Sequence, residues 1–243
     1  MKHINNISTK APDNFTKSSA SKELKYLHNQ LYTLQNLFYA EGKYSLLIIL
    51  QGMDTSGKDG TIRHVFSCMN PQGCNVKSFK TPTAEEQLHE FLWRIYANLP
   101  ERGMMQVFNR SHYEDVLFPV VHKLIDKKEI QERCNMINKF EEHLLCNNTI
   151  ILKFYLHLSQ KEQTKRLKKR ITVPEKRWKQ NVEDNKESKL WNNYIDAYQY
   201  VFKQCSKASP WLIVPADDKW YRTYFVAKTI VKTIENLKIK FPK

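Results

Sequence analysis

The amino-acid sequence predicts an α/β fold in which helices cover both faces of a parallel five-stranded sheet. Short apolar runs alternate with longer amphipathic segments along most of the 243 residues. Strands that alternate with helices in this way join through right-handed crossovers into a parallel sheet. The first apolar run, at residues 46–50, leads into Gly52-x-x-x-x-Gly57-Lys58, the spacing of a phosphate-binding loop. Ligands of such sheets bind at the carboxyl ends of the strands, so we expect phosphate at that edge.

The candidate phosphate loop has the context that its chemistry requires. A buried strand precedes it and a helical pattern begins at about Gly57, so an anion in the loop also lies at a helix N-terminus. The glycines allow successive N–H groups to face one anion, and the lysine reaches the outer phosphates. The residues expected to bind phosphate are Gly52, Met53, Thr55, Ser56, Gly57, Lys58, Asp59 and Gly60.

A metal ion at this loop needs an unusual ligand. Asp59 follows the lysine, at the position where Ser or Thr usually holds magnesium. Asp54, inside the loop, is the first candidate to replace that hydroxyl, because carboxylate oxygens suit a hard cation.

Composition narrows the class of protein. Hydrophobic residues make up 41% of the chain and aromatic residues 12%, as in a chain that folds around a core. The sequence shows no membrane-length apolar run and no signal-peptide pattern, so the cytoplasm is the expected compartment. Five cysteines without C-x-x-C spacing argue against a zinc site or a disulfide framework.

The net charge of +14 favours a polyanionic partner, and nucleic acid, an anionic membrane or a phosphate-rich substrate all fit it.

The remaining elements follow in chain order. Residues 1–20 are polar and predict a flexible tail or an arm that docks on a partner, and residues 21–243 are expected to form a single domain. Capping boxes at Thr83-x-x-Glu86 and Ser159-x-x-Glu162 open two helices, the first running to about Pro100. The other helices are expected at 21–41, 128–146, 190–202 and 220–238, and the other strands at 75–79, 104–108, 150–156 and 211–214.

A second polar motif follows the third strand. There Asn109 and Arg110 precede the carboxylates Glu114 and Asp115. A guanidinium matches phosphate oxygens, and either carboxylate suits magnesium directly or through water. The alternative is a salt bridge within a loop, but a phosphate loop at the same edge of the sheet favours a functional role. His112 is interpreted as a structural hydrogen-bonding residue.

A third motif, a basic segment, follows the fourth strand and is predicted to form a lid at about 161–190. Such a segment can cover the phosphate site, exclude water and bring arginines to the transferring group. The alternative is a solvated surface, and most of the individual lysines are expected to be no more than that. The cations of this segment are Lys161, Lys165, Arg166, Lys168, Lys169, Arg170, Lys176, Arg177 and Lys179.

Four motifs in order resemble the polyphosphate kinase 2 family of bacterial enzymes. They are Gly52-Met-Asp-Thr-Ser-Gly-Lys-Asp-Gly60, Phe108-Asn-Arg-Ser-His-Tyr-Glu-Asp-Val-Leu117, Pro174-Glu-Lys-Arg-Trp-Lys179 with Asp184 and Leu190-Trp191, and the segment 209–220. The resemblance implies a P-loop kinase-like three-layer sandwich with a helical lid. It also implies phosphoryl transfer between inorganic polyphosphate and a nucleotide with Mg²⁺, or alternatively Mn²⁺, in a homodimer or homotetramer.

The same resemblance implies roles for particular residues. Asp54 would hold the metal or orient the acceptor, and Lys58 would bind phosphate. Arg110, Arg166 and Arg170 would neutralise the transferring group, with Lys169 and Lys179 as further phosphate contacts. The second motif is similar to the subgroup that accepts both nucleoside mono- and diphosphates, which implies AMP and ADP as acceptors, with guanine nucleotides as alternatives, and connects Glu114 with the second acceptor. Val120 stands where that subgroup has an arginine, which implies weaker binding of the polyphosphate chain.

Two other functions fit parts of the sequence. An ATP-dependent nucleoside or nucleotide kinase would use the same loop, whereas the basic segment and the motif order favour polyphosphate. A non-enzymatic polyanion- or RNA-binding protein would fit the charge alone. The sequence shows no RNA-binding signature beyond net charge, so no specific nucleic-acid partner and no membrane partner is expected.

Overall fold

The computed structural model describes residues 3–179 and 183–242. These residues contain one five-stranded sheet whose strand pairs are all parallel, which confirms the predicted sheet. The strands are β1 (Ser45–Gln51), β2 (Cys74–Ser78), β3 (Met105–Asn109), β4 (Thr149–His157) and β5 (Trp211–Pro215). Their order across the sheet is β2-β3-β1-β4-β5.

The central strand β1 sets the position of the phosphate loop. All seven of its residues are buried, which explains its continuous apolar sequence. Leu50, near its carboxyl end, pairs with Asn109 on one side and with Phe154 on the other. The segments that follow β1 and β3 therefore leave the sheet side by side at one edge, as the sequence predicted.

The helices lie on both faces of the sheet, so the predicted three-layer sandwich is confirmed. One core layer contains residues of α1, α2 and α9, and the other contains residues of α4, α5 and α8. The helices are α1 (Lys17–Glu41), α2 (Lys58–Phe66), α3 (Trp93–Tyr96), α4 (Glu114–Val121), α5 (Lys127–Cys146), α6 (Gln160–Thr172), α7 (Asp184–Lys189), α8 (Trp191–Gln204) and α9 (Lys219–Glu235). Short 3₁₀ turns cover Ile4–Asn6, Glu86–Leu88 and Pro174–Lys179.

The prediction of one helix from the first capping box to about Pro100 is wrong. The box itself is present, because Glu86 N donates to Thr83 Oγ1 (3.2 Å) and Thr83 N donates to Glu86 Oε2 (2.9 Å). It opens only the 3₁₀ turn Glu86–Leu88, and Leu88 is 85% exposed instead of packing against the core. The Glu90 carboxylate then accepts from the Leu92 amide (2.8 Å) just before the separate short helix α3.

The N-terminal segment also differs from the sequence prediction. Residues 3–16, here called the strap, pack on the domain, so this segment is not a free tail. Ile4 is 1% exposed and Phe15 packs against the ring of Tyr224, with ring centroids 4.6 Å apart. Helix α1 begins at Lys17, four residues before the predicted start, since the Thr16 hydroxyl accepts from the Ser19 amide and caps it.

None of the helices in the described ranges is long and apolar enough to cross a membrane. All five cysteines carry free thiols.

A buried ionic network lies beneath the second polar motif. Lys153 Nζ donates to Glu141 Oε2 (2.6 Å), to the Tyr113 hydroxyl (2.9 Å) and to the Cys205 carbonyl (2.7 Å). The Tyr113 hydroxyl in turn donates to Glu141 Oε1 (2.7 Å). His112 is fully buried beside this network, and burial lowers its pKa, so the imidazole is neutral near neutral pH. The network holds the Tyr113 side chain, three positions after Arg110. Among the described residues neither ring nitrogen of His112 has a hydrogen-bond partner, and Nε2 lies 3.8 Å from Glu141 Oε1, so the structural hydrogen bond expected of His112 is not observed.

We expect Lys153→Ala to lower the free energy of unfolding by about 3–5 kcal/mol, because it leaves the buried Glu141 carboxylate without its cation. Lys207→Ala is the matched control, since Lys207 pairs with Glu142 at 3.5 Å but is 82% exposed. The control should change stability by less than about 0.5 kcal/mol. Urea unfolding measures both, and equal losses in the two variants would contradict this account.

Candidate active site

The phosphate loop has a backbone that only particular residues allow. Gly57 has a φ of 103°, and a Cβ atom there would collide with the Arg222 guanidinium. Gly52 has a φ of 148°, and a Cβ atom would lie 2.8 Å from the Leu156 carbonyl oxygen. Thr55 also has a positive φ of 64°. Both glycines of the motif are therefore required by space as well as by backbone conformation.

Side chains of the protein hold the carbonyl oxygens of this loop. Lys58 Nζ donates to the carbonyls of Gly52 (2.7 Å) and Met53 (3.3 Å). Gln163 Nε2 donates to the Asp54 carbonyl (3.2 Å), and Arg222 Nη1 donates to the Ser56 carbonyl (3.0 Å). A loop whose carbonyls are fixed on one side is pre-arranged to offer its N–H groups on the other.

Arg166 has a different role from the one implied by the family resemblance. Its guanidinium donates five hydrogen bonds, all to the protein: to Glu162 Oε1 (2.9 Å), to the carbonyls of Thr55 (3.0 Å) and Ser56 (3.2 Å), and to those of Ala216 and Asp217 (both 2.9 Å). A guanidinium has five N–H donors, so none is left for a phosphate. Arg166 therefore supports the loop from behind instead of neutralising the transferring group.

Arg110 and Asp54 meet in front of the loop. Arg110 Nη2 donates to Asp54 Oδ1 at 2.7 Å, and the two side chains are 39% and 31% exposed. The attraction of Glu114, followed by that of Asp54, raises the pKa of Arg110 despite burial. Burial opposes ionisation of Asp54, yet Lys58 and Arg110 lower its pKa, so the carboxylate is charged at neutral pH.

Lys58 is a buried cation whose pKa is lowered by its surroundings. Burial, followed by repulsion from Arg110, lowers its pKa to about 8. The carboxylates Asp54, Glu114 and Asp59 act in the opposite direction. Asp59 stands where the general loop pattern has a metal-binding hydroxyl. Its Oδ1 accepts from Asn109 Nδ2 (3.0 Å), at the end of the neighbouring strand β3.

The three candidate metal ligands do not gather into one cluster. No group of three or more acidic, His or Cys side chains with metal-binding geometry occurs in the part of the chain that the structure describes. Asp115 pairs with Arg94 at 3.0 Å, and burial raises its pKa against the effect of that arginine. Asp54 and Glu114 remain beside the loop, where water and phosphate oxygens would have to complete an octahedral shell.

A single cavity of about 1660 Å³ brings most of the predicted site residues together. Ser56, within the loop, is fully buried, and the Lys179 side chain lies outside the described part of the structure. Val120 is partly buried and packs against the apolar core. The predicted residues that line the cavity are Gly52, Met53, Asp54, Thr55, Gly57, Lys58, Asp59, Gly60, Asn109, Arg110, Glu114, Asp115, Arg166, Lys169 and Arg170.

The predicted lid contributes side chains to the same cavity, although residues 180–182 of it lie outside the described ranges. Lys169, Arg170 and Trp178 line the cavity. Near the end of this segment, Glu187 accepts from the Tyr194 hydroxyl (2.6 Å) and lies 3.2 Å from His122 Nε2. These contacts connect α7 with α8 and with the end of α4.

Sequence reasoning missed three residues that shape the site. Arg222 and Gln163 hold loop carbonyls, and the Tyr198 hydroxyl accepts from the Gly52 amide (3.1 Å). Arg222 is 2% exposed and is separated from Ser56 by 166 positions. No local pattern marks such contacts, although Gln163 lies one helical turn before Arg166 on the face that meets the loop.

The fold and the cavity together define a class of protein. A parallel sheet whose central strand leads into a glycine loop, with a lysine below the anion site and an arginine facing it, is the arrangement of P-loop phosphotransferases.

Comparison with known proteins identifies the family. The model of the polyphosphate kinase 2 family matches residues 14–242. An AMP/ADP-polyphosphate phosphotransferase of Meiothermus ruber is 42% identical over 93% of this chain and 85% of its own length. An ADP-polyphosphate phosphotransferase of Rhodopseudomonas palustris is 46% identical over 88% of this chain and 78% of its own. The crystal structure of polyphosphate kinase 2 from Arthrobacter aurescens matches with a TM-score of 0.95 at 39% identity, covering 98% of this chain and 87% of that one. The chain belongs to the polyphosphate kinase 2 family, which confirms the predicted class of phosphotransferase.

The pKa of Lys58 predicts how ligand affinity depends on pH. Only the ammonium form attracts phosphate, so above about pH 8 binding must take up a proton. We expect the affinity for ADP to fall between pH 7.5 and 9, by at most about tenfold per pH unit for one proton. The terminal phosphate of ADP is already ionised there, since phosphate monoesters lose their last proton at about pH 6.

Calorimetry in two buffers of different ionisation enthalpy would detect this proton uptake. Lys58→Met is the control, and it should bind ADP weakly with little pH dependence over the same interval. Equal affinity at both ends of the interval in the native protein would show that Lys58 is charged throughout.

Arg166→Lys tests the supporting role of Arg166. Lysine keeps the positive charge but cannot reproduce five directed bonds, so acceptors such as the Thr55 carbonyl are left unsatisfied at about 1–3 kcal/mol each. We expect the free energy of unfolding to fall by about 2–3 kcal/mol in urea titrations. Lys165→Ala, on the exposed side of α6, is the control and should unfold like the native protein. Native stability combined with weaker phosphate binding would instead indicate a direct contact with substrate.

Proposed function

We propose that this member of the polyphosphate kinase 2 family transfers a phosphoryl group between inorganic polyphosphate and both AMP and ADP. The observation that carries the proposal is the convergence of Arg110 and Asp54, 2.7 Å apart, in front of the Lys58 loop, in a cavity that Lys169 and Arg170 also line. The relative from Meiothermus ruber, at 42% identity, carries both acceptors in its name. The +14 charge suits a long polyanionic donor.

The proposed reaction does not need a strong general base. The acceptor is a phosphate oxygen that is already anionic at neutral pH, so catalysis rests on alignment and on neutralising charge. Lys58 and the loop amides would hold one phosphate group, and Arg110, which faces them, would bind the group in transfer. Arg170 and Lys169, from α6, would reduce the repulsion between donor and acceptor.

The residues present fit a magnesium ion. Asp54 keeps a charged, partly exposed carboxylate at the mouth of the loop, and Glu114 lies in the same cavity. Magnesium binds through one or two carboxylates, with water and substrate phosphates as its other ligands, and Mn²⁺ suits the same oxygen donors. When bound, the ion would supply positive charge to the phosphate oxygens. Asp115 is the weaker candidate because Arg94 holds its carboxylate.

The direct test is an assay of the purified protein with Mg²⁺, long-chain polyphosphate and one nucleotide at a time. We expect AMP to yield ADP and ADP to yield ATP, with chromatographic identification of each product. Parallel reactions with GMP and GDP test whether guanine nucleotides are also acceptors. Reactions with ATP as the sole donor test the alternative, an ATP-dependent nucleotide kinase. Products only in the ATP reactions would refute the proposal.

The homodimer or homotetramer implied by the family resemblance stays a prediction.

Asp54→Asn should lower kcat by at least about 100-fold, the typical cost of losing one group that stabilises transition-state charge. The amide keeps the shape of the side chain but loses the charge that would hold the metal and orient Arg110. Asp196→Asn, on the exposed side of α8, removes the same charge away from the cavity and should leave kcat unchanged. Normal turnover by Asp54→Asn at ordinary magnesium concentration would contradict this assignment.

A further inference from the structure

The strap crosses the carboxyl edge of the sheet, the edge that carries the site. Near its start, Ile4 packs in the core layer that contains α8, and its amide donates to Gln199 Oε1 (2.9 Å). Near its end, Phe15 packs against the other core layer, beside Trp220 and Tyr224 of α9. Between these two anchors the chain passes over the ends of β4 and β5.

Each strand end that the strap passes contributes a hydrogen bond to it. At β4, His157 Nε2 lies 3.1 Å from the Ile7 carbonyl oxygen. Just after β5, the Thr9 hydroxyl donates to Asp217 Oδ2 (2.9 Å), and the Asp217 amide donates to the Thr9 carbonyl (2.9 Å). The Ala11 amide then donates to Asp218 Oδ2 (3.0 Å).

Asp217 joins the strap to the helix that lines the site. Its second carboxylate oxygen, Oδ1, accepts from the amide of Ser159 (2.8 Å), and Ser159 is the residue that caps α6. Its carbonyl oxygen accepts from Arg166 (2.9 Å), which in turn holds the loop carbonyl of Thr55 (3.0 Å). One residue therefore contacts the strap, the start of α6 and, through a single arginine, the phosphate loop.

The length of α6 between Ser159 and Arg170 makes this connection relevant to chemistry. Arg170 lies eleven positions beyond Ser159, about 16 Å along the helix at 1.5 Å per residue. A tilt of about 5° at the start of α6 would therefore move Arg170 by about 1.4 Å, and a misplacement of about 1 Å can cost about 100-fold in rate. The anchoring of the first turn of α6 therefore bears directly on where its cations lie.

We propose that Asp217 is a positioning residue that uses the strap to fix α6, and with it Arg170, over the phosphate loop. The inference rests on the proposed function, because it assigns to Arg170 a contact with the transferring phosphate. It also gives residues 3–16 a role within this chain's own site, where the sequence suggested a tail or an arm for a partner.

Two variants separate this role from simple support of the fold. Thr9→Val removes the hydroxyl at nearly constant shape and leaves the bond between Asp217 and Ser159 in place. Asp217→Asn keeps the shape of the side chain but replaces one acceptor oxygen by a donor. Asp13→Asn, on an exposed part of the strap, is the matched control for loss of one negative charge. Thr9→Ser restores the hydroxyl and should restore native behaviour.

Kinetics with long-chain polyphosphate and ADP, and hydrogen exchange followed by mass spectrometry, are the readouts. We expect Thr9→Val and Asp217→Asn to raise the KM for polyphosphate or lower kcat so that kcat/KM falls at least fivefold. Exchange should become faster in α6 and residues 52–57, while that of α5 stays native. Native kinetics with native exchange in α6 would overturn the proposal. Faster exchange spread equally over α5 and α6 would also overturn it, because it would indicate a purely structural role.

Failure of the proposed function is recognised separately. If the native protein does not phosphorylate ADP from polyphosphate, the proposed function fails and the role given to Arg170 fails with it. The exchange experiment needs no turnover, so it still decides whether Asp217 couples the strap to α6.

Discussion

The satisfaction of carbonyl oxygens in the phosphate loop is the constraint on which the site depends. A loop that presents its N–H groups to an anion must turn carbonyls toward the protein, and buried carbonyls without donors are costly. Here the carbonyls of residues 52–56 all accept from side chains. The donors come from α2, which directly follows the loop, and from α6 and α9, so the shape of a six-residue loop depends on two distant segments of the chain.

Local patterns were sufficient to predict what is local. The strand that leads into the loop, the parallel sheet and the first capping box follow from apolar periodicity and from short-range hydrogen bonding. Of the second box only the Ser159 cap is present, because the Ser159 amide donates to the distant Asp217 instead of to Glu162. The convergence of Arg110 and Asp54 was also predictable, because the ends of adjacent parallel strands β1 and β3 meet at one edge. In these cases the fold adds little beyond bringing two neighbouring strands into register.

Long-range contacts were not predictable in the same way. Arg166 and Arg170 lie four positions apart in one basic helix and both line the cavity, and charge alone cannot show that the five donors of Arg166 are occupied by protein oxygens. Likewise, the polar composition of residues 3–16 resembles that of a free tail, whereas Ile4 and Phe15, eleven positions apart, anchor it on opposite core layers. Such assignments depend on packing between elements, which a single sequence does not encode in any short pattern.

Exposure and hydrogen bonding divide the cations of the site into two kinds. The Arg166 side chain is 10% exposed and has all five donors occupied by protein oxygens, so turning the guanidinium to a phosphate would take donors from protein acceptors such as the Thr55 carbonyl. The Arg110 side chain is 39% exposed and pairs with an Asp54 that is 31% exposed, an arrangement in which water screens the pair and its net contribution is small. Arg110 can therefore exchange Asp54 for a phosphate at little cost. The same residue type thus serves as scaffold behind the loop and, in the proposed function, as a substrate ligand in front of it, and the number of protein acceptors around each guanidinium distinguishes the two.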